Sequence, residues 1–280
     1  MSRHGSTSSS AQIQPTFAPG CTTWIEKDRH RVVKRAETSE TRLILRRLCS
    51  LASSLSVQLD VAIPCLQESP DGLFSYPLLP GNPPNPQKDN SALISYETSL
   101  GSLLAKLHNL DPNSLPLPQA TDPCTSLASM LETVHAAFTL PGHLANTAHR
   151  LLEGNTWAPY TTLIHGDLHE GNILVQNGEI TAILDWASCR TGDPGEDFFF
   201  HLMGYGTASL KRLLDVYRHH GGHTWPRMDE HIALLLATYP IHYAAIALQS
   251  GNPTLLAAAQ NFLEMPPDWP SVHHISLSRL

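Results

Sequence analysis

The sequence predicts an α+β chain of two lobes, a small β-rich one over residues 16–80 and a larger, mainly helical one over residues 81–264. Three patterns carry that expectation. Short alternating or β-branched runs crowd the first lobe, and leucines at helical spacing recur through the second. Between the helices, residues 161–185 read as a strand, a polar loop, a tight hairpin and a further strand. Charged residues make up 15% and hydrophobic residues 41% of the 280, a balance that suits a packed core and excludes a disordered or coiled-coil chain. The Ser-rich residues 1–15 are expected to form a disordered tail, and the Pro- and His-rich residues 265–280 a loose one.

Pro19-Gly20-Cys21-Thr22-Thr23 is turn-like, and Trp24-Ile25-Glu26 alternates as a strand. Asp28-Arg29-His30 turns the chain into Arg31-Val32-Val33-Lys34. Thr38 or Ser39 can cap a helix that continues to about Leu55, with Ile44, Leu48, Leu51 and Leu55 on one face. Val61-Ala62-Ile63 and Cys65-Leu66-Gln67 are strand-like, Pro70-Asp71-Gly72 is a turn, and Leu73 to Leu79 is the next strand. A Pro/Asn linker over Asn82 to Asn90 follows.

The helical lobe then opens with Leu93, Leu100, Leu103, Leu104 and Leu107 on one helix, stopped by Asp111-Pro112. His108 on this helix reads as a packed or capping histidine. Asp122-Pro123 starts a second helix with Leu127, Met130, Leu131, Val134 and Phe138 inward, and a third runs from about Pro141 to Glu153. After the β insert, Asp193 caps a helix over Phe198 to Met203, and Leu210, Leu213, Leu214 and Tyr217 form another stripe ending at Gly221-Gly222. Met228 to Leu248 and Asn252 to Phe262 supply the last two helices. The most apolar run, Ile232 to Leu248, contains Pro240 and His242 and is short for a membrane span, so a buried core helix is expected.

The chemistry-bearing residues gather in the β insert. Thr161 to Ile164 is a short strand running into His165-Gly166-Asp167; Ile173 to Gln176 is the second. Asn177-Gly178 is a hairpin signal, because both residues must accept φ > 0. Glu179 to Leu184 returns as the third strand and delivers Asp185 at its end. Asp167, Asn172 and Asp185 can therefore converge. Phosphoryl transfer needs a carboxylate to take the proton of an attacking hydroxyl, together with oxygen ligands for Mg²⁺. His165, Asp167 and Asn172 keep the spacing of a kinase catalytic loop, His two before the base and Asn five after it. Asp185 stands where the second metal-binding Asp belongs.

HGDLHEGNILV followed by ILDWASCRTGDPGEDF resembles the aminoglycoside phosphotransferase family, small-molecule kinases with a protein-kinase-like two-lobed fold. The order of residues 201–263, with its Gly-Gly…Trp-Pro-Arg step and Ser-Gly-Asn turn, is similar to the C-terminal helices of macrolide 2'-phosphotransferases. The likeness covers residues 161–263 well and residues 20–110 loosely. It implies that Asp167 acts on the acceptor hydroxyl, that His165 supports the loop, and that Asn172 and Asp185 hold Mg²⁺ on GTP or ATP. Lys34 would pair the phosphates, with Glu40 as its carboxylate partner and Glu37 as the alternative. Tyr76 to Gly81 resembles the hinge between lobes, where backbone groups of Tyr76 and Leu78 would meet the purine base.

Three features depart from the family pattern. No G-x-G-x-x-G loop is present, the Lys34–Glu40 connection is short, and Asn172 stands where some macrolide enzymes carry His. A non-catalytic pseudokinase and a choline- or homoserine-type kinase are the rival readings.

Substrate class is read from the C-terminal third, where eight acidic residues face six Lys/Arg between Ala187 and Leu280. A polycationic aminoglycoside would want a dense acidic wall. The segment instead offers Phe198, Phe199, Phe200, Tyr205, Trp225, Tyr239 and Tyr243, which suits a large apolar ligand. Asp197 can bond the catalytic loop or an acceptor amine, and is the nearest anion by sequence for the ammonium of an amino sugar.

The net charge of -7 argues against a nucleic-acid partner. Five cysteines without CxxC spacing, and a polar stretch from Met1 to Ser10, lead to the expectation of reduced thiols and a cytoplasmic monomer. His219, His220 and His223 lack carboxylate or thiolate companions at zinc spacing and read as a helix C-terminus.

Overall fold

The computed structural model describes residues 21–85 and 90–266. The expected tail over residues 1–15, the turn at Pro19-Gly20 and residues 267–280 lie outside the described residues. Strand β1 (Cys21–Glu26) and strand β2 (Arg31–Ala36) form an antiparallel hairpin in which Trp24 faces Val33. Helix α1 (Ser39–Leu55) begins where the Thr38 hydroxyl accepts the Thr41 N–H at 3.1 Å, and buries Leu45, Leu48, Leu51 and Leu55 against the sheet. Strand β3 (Gln67–Glu68) and strand β4 (Leu73–Pro77) complete an antiparallel sheet of order β1-β2-β4-β3.

Two expectations for this lobe are corrected. The strand-like runs at 61–63 and 65–67 shrink to the two-residue β3 and one parallel bridge, Ala62 to Ala182. Pro64 between them has no N–H to give a ladder. Strand β4 stops at Pro77 and not Leu79 because its partner β2 begins at Arg31: the Leu78 N–H makes one more bond in register, to the His30 carbonyl at 2.8 Å, and at His30, with φ 50, the partner chain turns away.

The second lobe is built from helix α2 (Asn90–His108), helix α3 (Pro123–Ala137) and helix α4 (Gly142–Glu153), then the β insert, then three further helices. These are α5 (Phe199–His219), α6 (Met228–Ser250) and α7 (Pro253–Leu263). Gly206, at φ 79 and ψ 178, breaks α5 between its two apolar stripes, as the two-helix reading of the sequence requires. Helix α6 is long and apolar enough to cross a membrane by length and composition, but α3, α4, α5 and α7 pack around it. Ile232, Leu236, Ile241 and Ala244 along it are fully buried. Glu97 of α2, 1% exposed, takes a bidentate contact from Arg212 of α5 at 2.6 and 2.7 Å and so locks these two helices.

The β insert joins the lobes. Strand β5 (Thr162–Ile164) pairs with a strand that the sequence reading missed, β8 (Arg190–Gly192). Strands β6 (Ile173–Gln176) and β7 (Glu179–Ile183) form the expected hairpin, with φ of 55 at Asn177 and 85 at Gly178. β7 takes the bridge from Ala62, and β6 exchanges two backbone bonds with Asn82 (3.0 and 2.8 Å, through Val175).

Burial holds the imidazoles of His201 and His242 down at about 4, with Arg212 and Arg190 respectively adding to it and Glu97 opposing it at His201. Their unfolded value is about 6.5, so between pH 6.5 and 4 the unfolded chain binds protons that the folded chain refuses. Stability is therefore expected to fall as pH drops from 7 to 5, by about 2 kcal/mol for each histidine. Urea denaturation of His242→Leu should show a clearly shallower loss across that interval than the unsubstituted protein; equal slopes would exclude this origin.

Candidate active site

The loop that follows β5 is suspended from a buried carboxylate. Asp197, 1% exposed, accepts the His165 N–H at 2.8 Å through Oδ2 and the Gly166 N–H at 2.8 Å through Oδ1. Its Oδ2 also accepts from His108 Nε2 at 3.2 Å, while the Tyr217 hydroxyl meets His108 Nδ1 at 3.0 Å. Burial alone would raise this carboxyl, but His108 above all, then the neighbouring His165 and the Gly166 N–H, outweigh it and hold it below the usual carboxylate range. Gly166 has φ 77, and a Cβ there would run into the Arg190 guanidinium.

His165 stitches the loop to β7. Its Nδ1 accepts the Asp167 N–H at 3.3 Å and its Nε2 donates to the Leu184 carbonyl at 2.8 Å, which fixes a neutral tautomer. Burial pushes the ring's basicity down, against the charges of Asp197 and Asp185. The Leu184 N–H closes the other side on the Asn172 carbonyl at 2.7 Å.

These ties bring four of the sequence-predicted residues together. Asn172 Nδ2 donates to the Asp167 backbone carbonyl at 2.9 Å and to Asp167 Oδ2 at 3.2 Å. Asp185 Oδ2 lies 3.5 Å from Lys34 Nζ, reached across 151 residues of sequence. Lys34 is 5% exposed and sits at a small cavity lined by Leu48, Ala52, Leu66 and Tyr76. Burial in the crevice, and then the nearby Asp185 charge, push the Asp167 carboxyl up to about 7, with the Asn172 bond opposing. That value suits a group which must gain a proton during turnover.

Other assignments are corrected by the geometry. The carboxylate partner of Lys34 is Asp185; Glu40 is exposed on the first turn of α1, and Glu37 accepts from the Thr22 hydroxyl at 2.7 Å. Only five residues separate Lys34 from Glu40, and helix α1 starts at Ser39, so Glu40 falls on the exposed first turn. The Leu78 N–H, expected at a base, is spent on the His30 carbonyl at 2.8 Å. The Tyr76 side chain points into the cavity behind Lys34. Of the two roles open to Asp197, the loop and an acceptor amine, the geometry favours the loop: the carboxylate is enclosed and bonded by His165, Gly166 and His108.

The sequence reading passed over His169, and it named Phe199, Phe200 and Tyr239 without placing them in one wall. His169 Nε2 lies 3.9 Å from Asp167 Oδ2, and its ring meets Phe200 edge-on at 5.7 Å. From there Phe200 contacts Phe199 (4.3 Å) and Tyr239 (5.2 Å), and Tyr239 continues to Phe262 at 5.9 Å. Burial and the facing Asp167 carboxylate push the Tyr239 hydroxyl up. HGDLH carried a signal for His169; the wall carried only an excess of aromatics, with nothing to say which ones meet.

A cation of Mg²⁺ type fits the residues present. Asp185 Oδ1 is buried without a hydrogen-bond partner, and its residue is held at φ 48 and ψ 70, a region that non-glycine residues enter at a cost. Asn172 spends its amide nitrogen on Asp167 and has its side-chain oxygen to offer. Among the described residues no group of three or more His, Cys, Asp or Glu is set for a metal ion. Two hard oxygen ligands therefore leave the remaining positions to phosphate and water.

The family model described as "Phosphotransferase enzyme family" matches residues 22–231. The structure is similar to the apoenzyme of macrolide 2'-phosphotransferase MphH from Brachybacterium faecium over 88% of this chain and 89% of that one, at 28% identity and a TM-score of 0.77. A macrolide 2'-phosphotransferase type I aligns over 91% of each chain at 24% identity and a TM-score of 0.80. The GDP and kanamycin complex of APH(2")-IIia aligns over 91% of this chain and 93% of that one at 16% identity and a TM-score of 0.77. The last two establish a shared fold. A 95-residue stretch is 42% identical to the uncharacterized protein YcbJ of Bacillus subtilis (strain 168), and the match spans 34% of this chain and 31% of that protein.

The Asp197 arrangement predicts a large structural penalty for a small change. Asp197→Asn keeps the shape but turns an N–H₂ group toward backbone donors, and should cost about 3 kcal/mol in urea denaturation. Unchanged stability would mean that the carboxylate is free for a ligand after all.

Proposed function

Because the chain belongs to the phosphotransferase enzyme family, with residues 22–231 matched, we propose that it transfers the γ-phosphate of GTP or ATP to an alcohol of a small molecule, and that a macrolide 2'-hydroxyl is that alcohol. The observation that carries the reaction is the meeting of Asp167, Asn172, Asp185 and Lys34 at one crevice between the sheet lobe and the helical lobe, whose bounds we put at residues 16–80 and 81–264. The aromatic wall beside Asp167, with only eight acidic residues against six Lys/Arg from Ala187 to Leu280, supports an apolar acceptor. The likeness at 28% identity to a macrolide 2'-phosphotransferase supports the same choice.

In this reading Asp167 orients the acceptor hydroxyl and takes its proton as the oxygen attacks the γ-phosphorus. The new O–P bond forms while the bond from phosphorus to the β–γ bridging oxygen breaks, and the nucleoside diphosphate leaves with that electron pair. Bound Mg²⁺ supplies charge neutralisation for the phosphates. Asn172 and Asp185 hold it, and Lys34, kept in place by Asp185, pairs the phosphates. His165 maintains the loop's conformation through its bonds to Asp167 and Leu184. The site takes its substrates from solution as a monomeric, cytoplasmic enzyme.

Substituting Asp167→Ala is expected to lower kcat by about 10²–10⁴-fold and to leave nucleotide binding largely intact, because the residue serves the acceptor. Asp185→Ala should instead abolish the thermal stabilisation given by nucleotide plus Mg²⁺. Full turnover in both variants would exclude these roles. The acceptor is tested by transfer of radiolabelled γ-phosphate from GTP and from ATP to erythromycin, kanamycin, choline and homoserine. Label is expected on erythromycin; label on kanamycin or choline alone would overturn the macrolide assignment and leave the phosphotransferase reading in place.

A further inference from the structure

We propose that His169 is a second catalytic side chain, one that aims the acceptor oxygen by donating a hydrogen bond from Nε2. The inference rests on the phosphoryl-transfer reading of the same site. It starts from the tautomer. The Gly171 N–H donates to His169 Nδ1 at 3.0 Å, so Nδ1 carries no proton and the ring's single N–H is at Nε2. Backbone geometry, two residues along the same loop, thus decides which nitrogen is the donor.

The ring is also fixed in orientation. Phe200 packs edge-on against it at 5.7 Å and an interplanar angle of 73°. Gly171 lies directly beneath: a Cβ at that position would come within 2.7 Å of Cε1 and 2.9 Å of Nδ1. A glycine at 171 is what lets the imidazole lie flat on the turn and receive the N–H. The side chain keeps 28% of its surface, so the ring is not closed off, and Nε2 is on the side that looks toward Asp167.

Nε2 and Asp167 Oδ2 are 3.9 Å apart, too far for a bond to each other but close enough for one oxygen to sit within about 2.8 Å of both. An alcohol oxygen has four directions: its carbon, its proton and two lone pairs. With the proton given to Asp167 and one lone pair accepting from His169, the remaining lone pair has a single direction, which the loop can point at the phosphorus. Asp167 alone leaves the hydroxyl free to rotate about its proton. Orientation of this kind is a recognised contribution to rate, and small misplacements cost about 100-fold.

The test uses the purified full chain with erythromycin, GTP and Mg²⁺. Turnover by the unsubstituted protein sets the baseline, so failure of the functional reading is seen there and failure of this inference only in the variants. His169→Phe, which keeps the contact with Phe200, is expected to lower kcat about 100-fold with little change in the KM for nucleotide. His169→Gln, which retains an N–H donor, should recover part of that loss. Slow hydrolysis of GTP without acceptor should change far less than transfer. Gly171→Ala should lower kcat in the unsubstituted background but add nothing in His169→Ala, where no ring remains to be displaced. An unchanged kcat in His169→Phe, a rise in acceptor KM alone, an equal loss in hydrolysis, or multiplicative effects of Gly171→Ala and His169→Ala would each overturn the assignment.

Discussion

The structure depends on one buried negative charge. Asp197 gathers two consecutive backbone N–H groups of the catalytic loop and one histidine nitrogen, and it does so where water cannot compete. Unpaired, a carboxylate at that depth would be costly; with three donors it becomes a fixed anchor. The turn that carries it is itself secured from behind, since Asp193 accepts the Gly195 N–H at 2.8 Å and meets His231 of α6 at 2.5 Å. His231 in turn contacts the Thr156 hydroxyl at 3.2 Å. The exposed end of the loop is thus positioned by a chain of polar contacts that runs into the helical core.

A second constraint acts at the crevice. Asp167 and Asp185 face each other in a region of low polarity, and their mutual repulsion is relieved from two sides, by Asn172 on one and Lys34 on the other. The strained backbone of Asp185 aims one carboxylate oxygen inward without a protein partner. Such an arrangement is poorly satisfied by the protein on its own, which is what a site built for an incoming cation and phosphates requires.

Most of the fold was legible because it is written locally. Thr38, Asp122 and Asn252 announce helix starts, Asn177-Gly178 announces a hairpin, and leucine spacing marks the helices. The catalytic spacing from His165 to Asn172 was legible for the same reason: a loop's geometry depends on its own residues. What could not be read were relations across long separations. Strand β8 has three residues and owes its existence to β5. The carboxylate opposite Lys34 lies 151 residues away, while Glu40 was merely near in sequence. Asp197 was left between two roles, a bond to the catalytic loop and an acceptor amine, because its sequence neighbours are those of a helix start and only the fold brings it to the loop at His165. Neither could the aromatic wall be read, since Phe200, Tyr239 and Phe262 belong to three different helices.

The hairpin of β6 and β7 has a mechanical meaning. Two points of the chain are pinned to it, each to a different strand: Ala62, inside the sheet lobe, to β7, and Asn82, just past the crossing between lobes, to β6. Each pin is made of backbone hydrogen bonds, so neither depends on which side chains stand there. Arg47 adds a bond to the Ala187 carbonyl at 3.1 Å, and Lys106 one to Asp60 at 2.6 Å. Asp185, two residues beyond the end of β7, therefore follows a strand that main-chain bonds tie to the sheet lobe, and it meets Lys34 of that lobe at 3.5 Å.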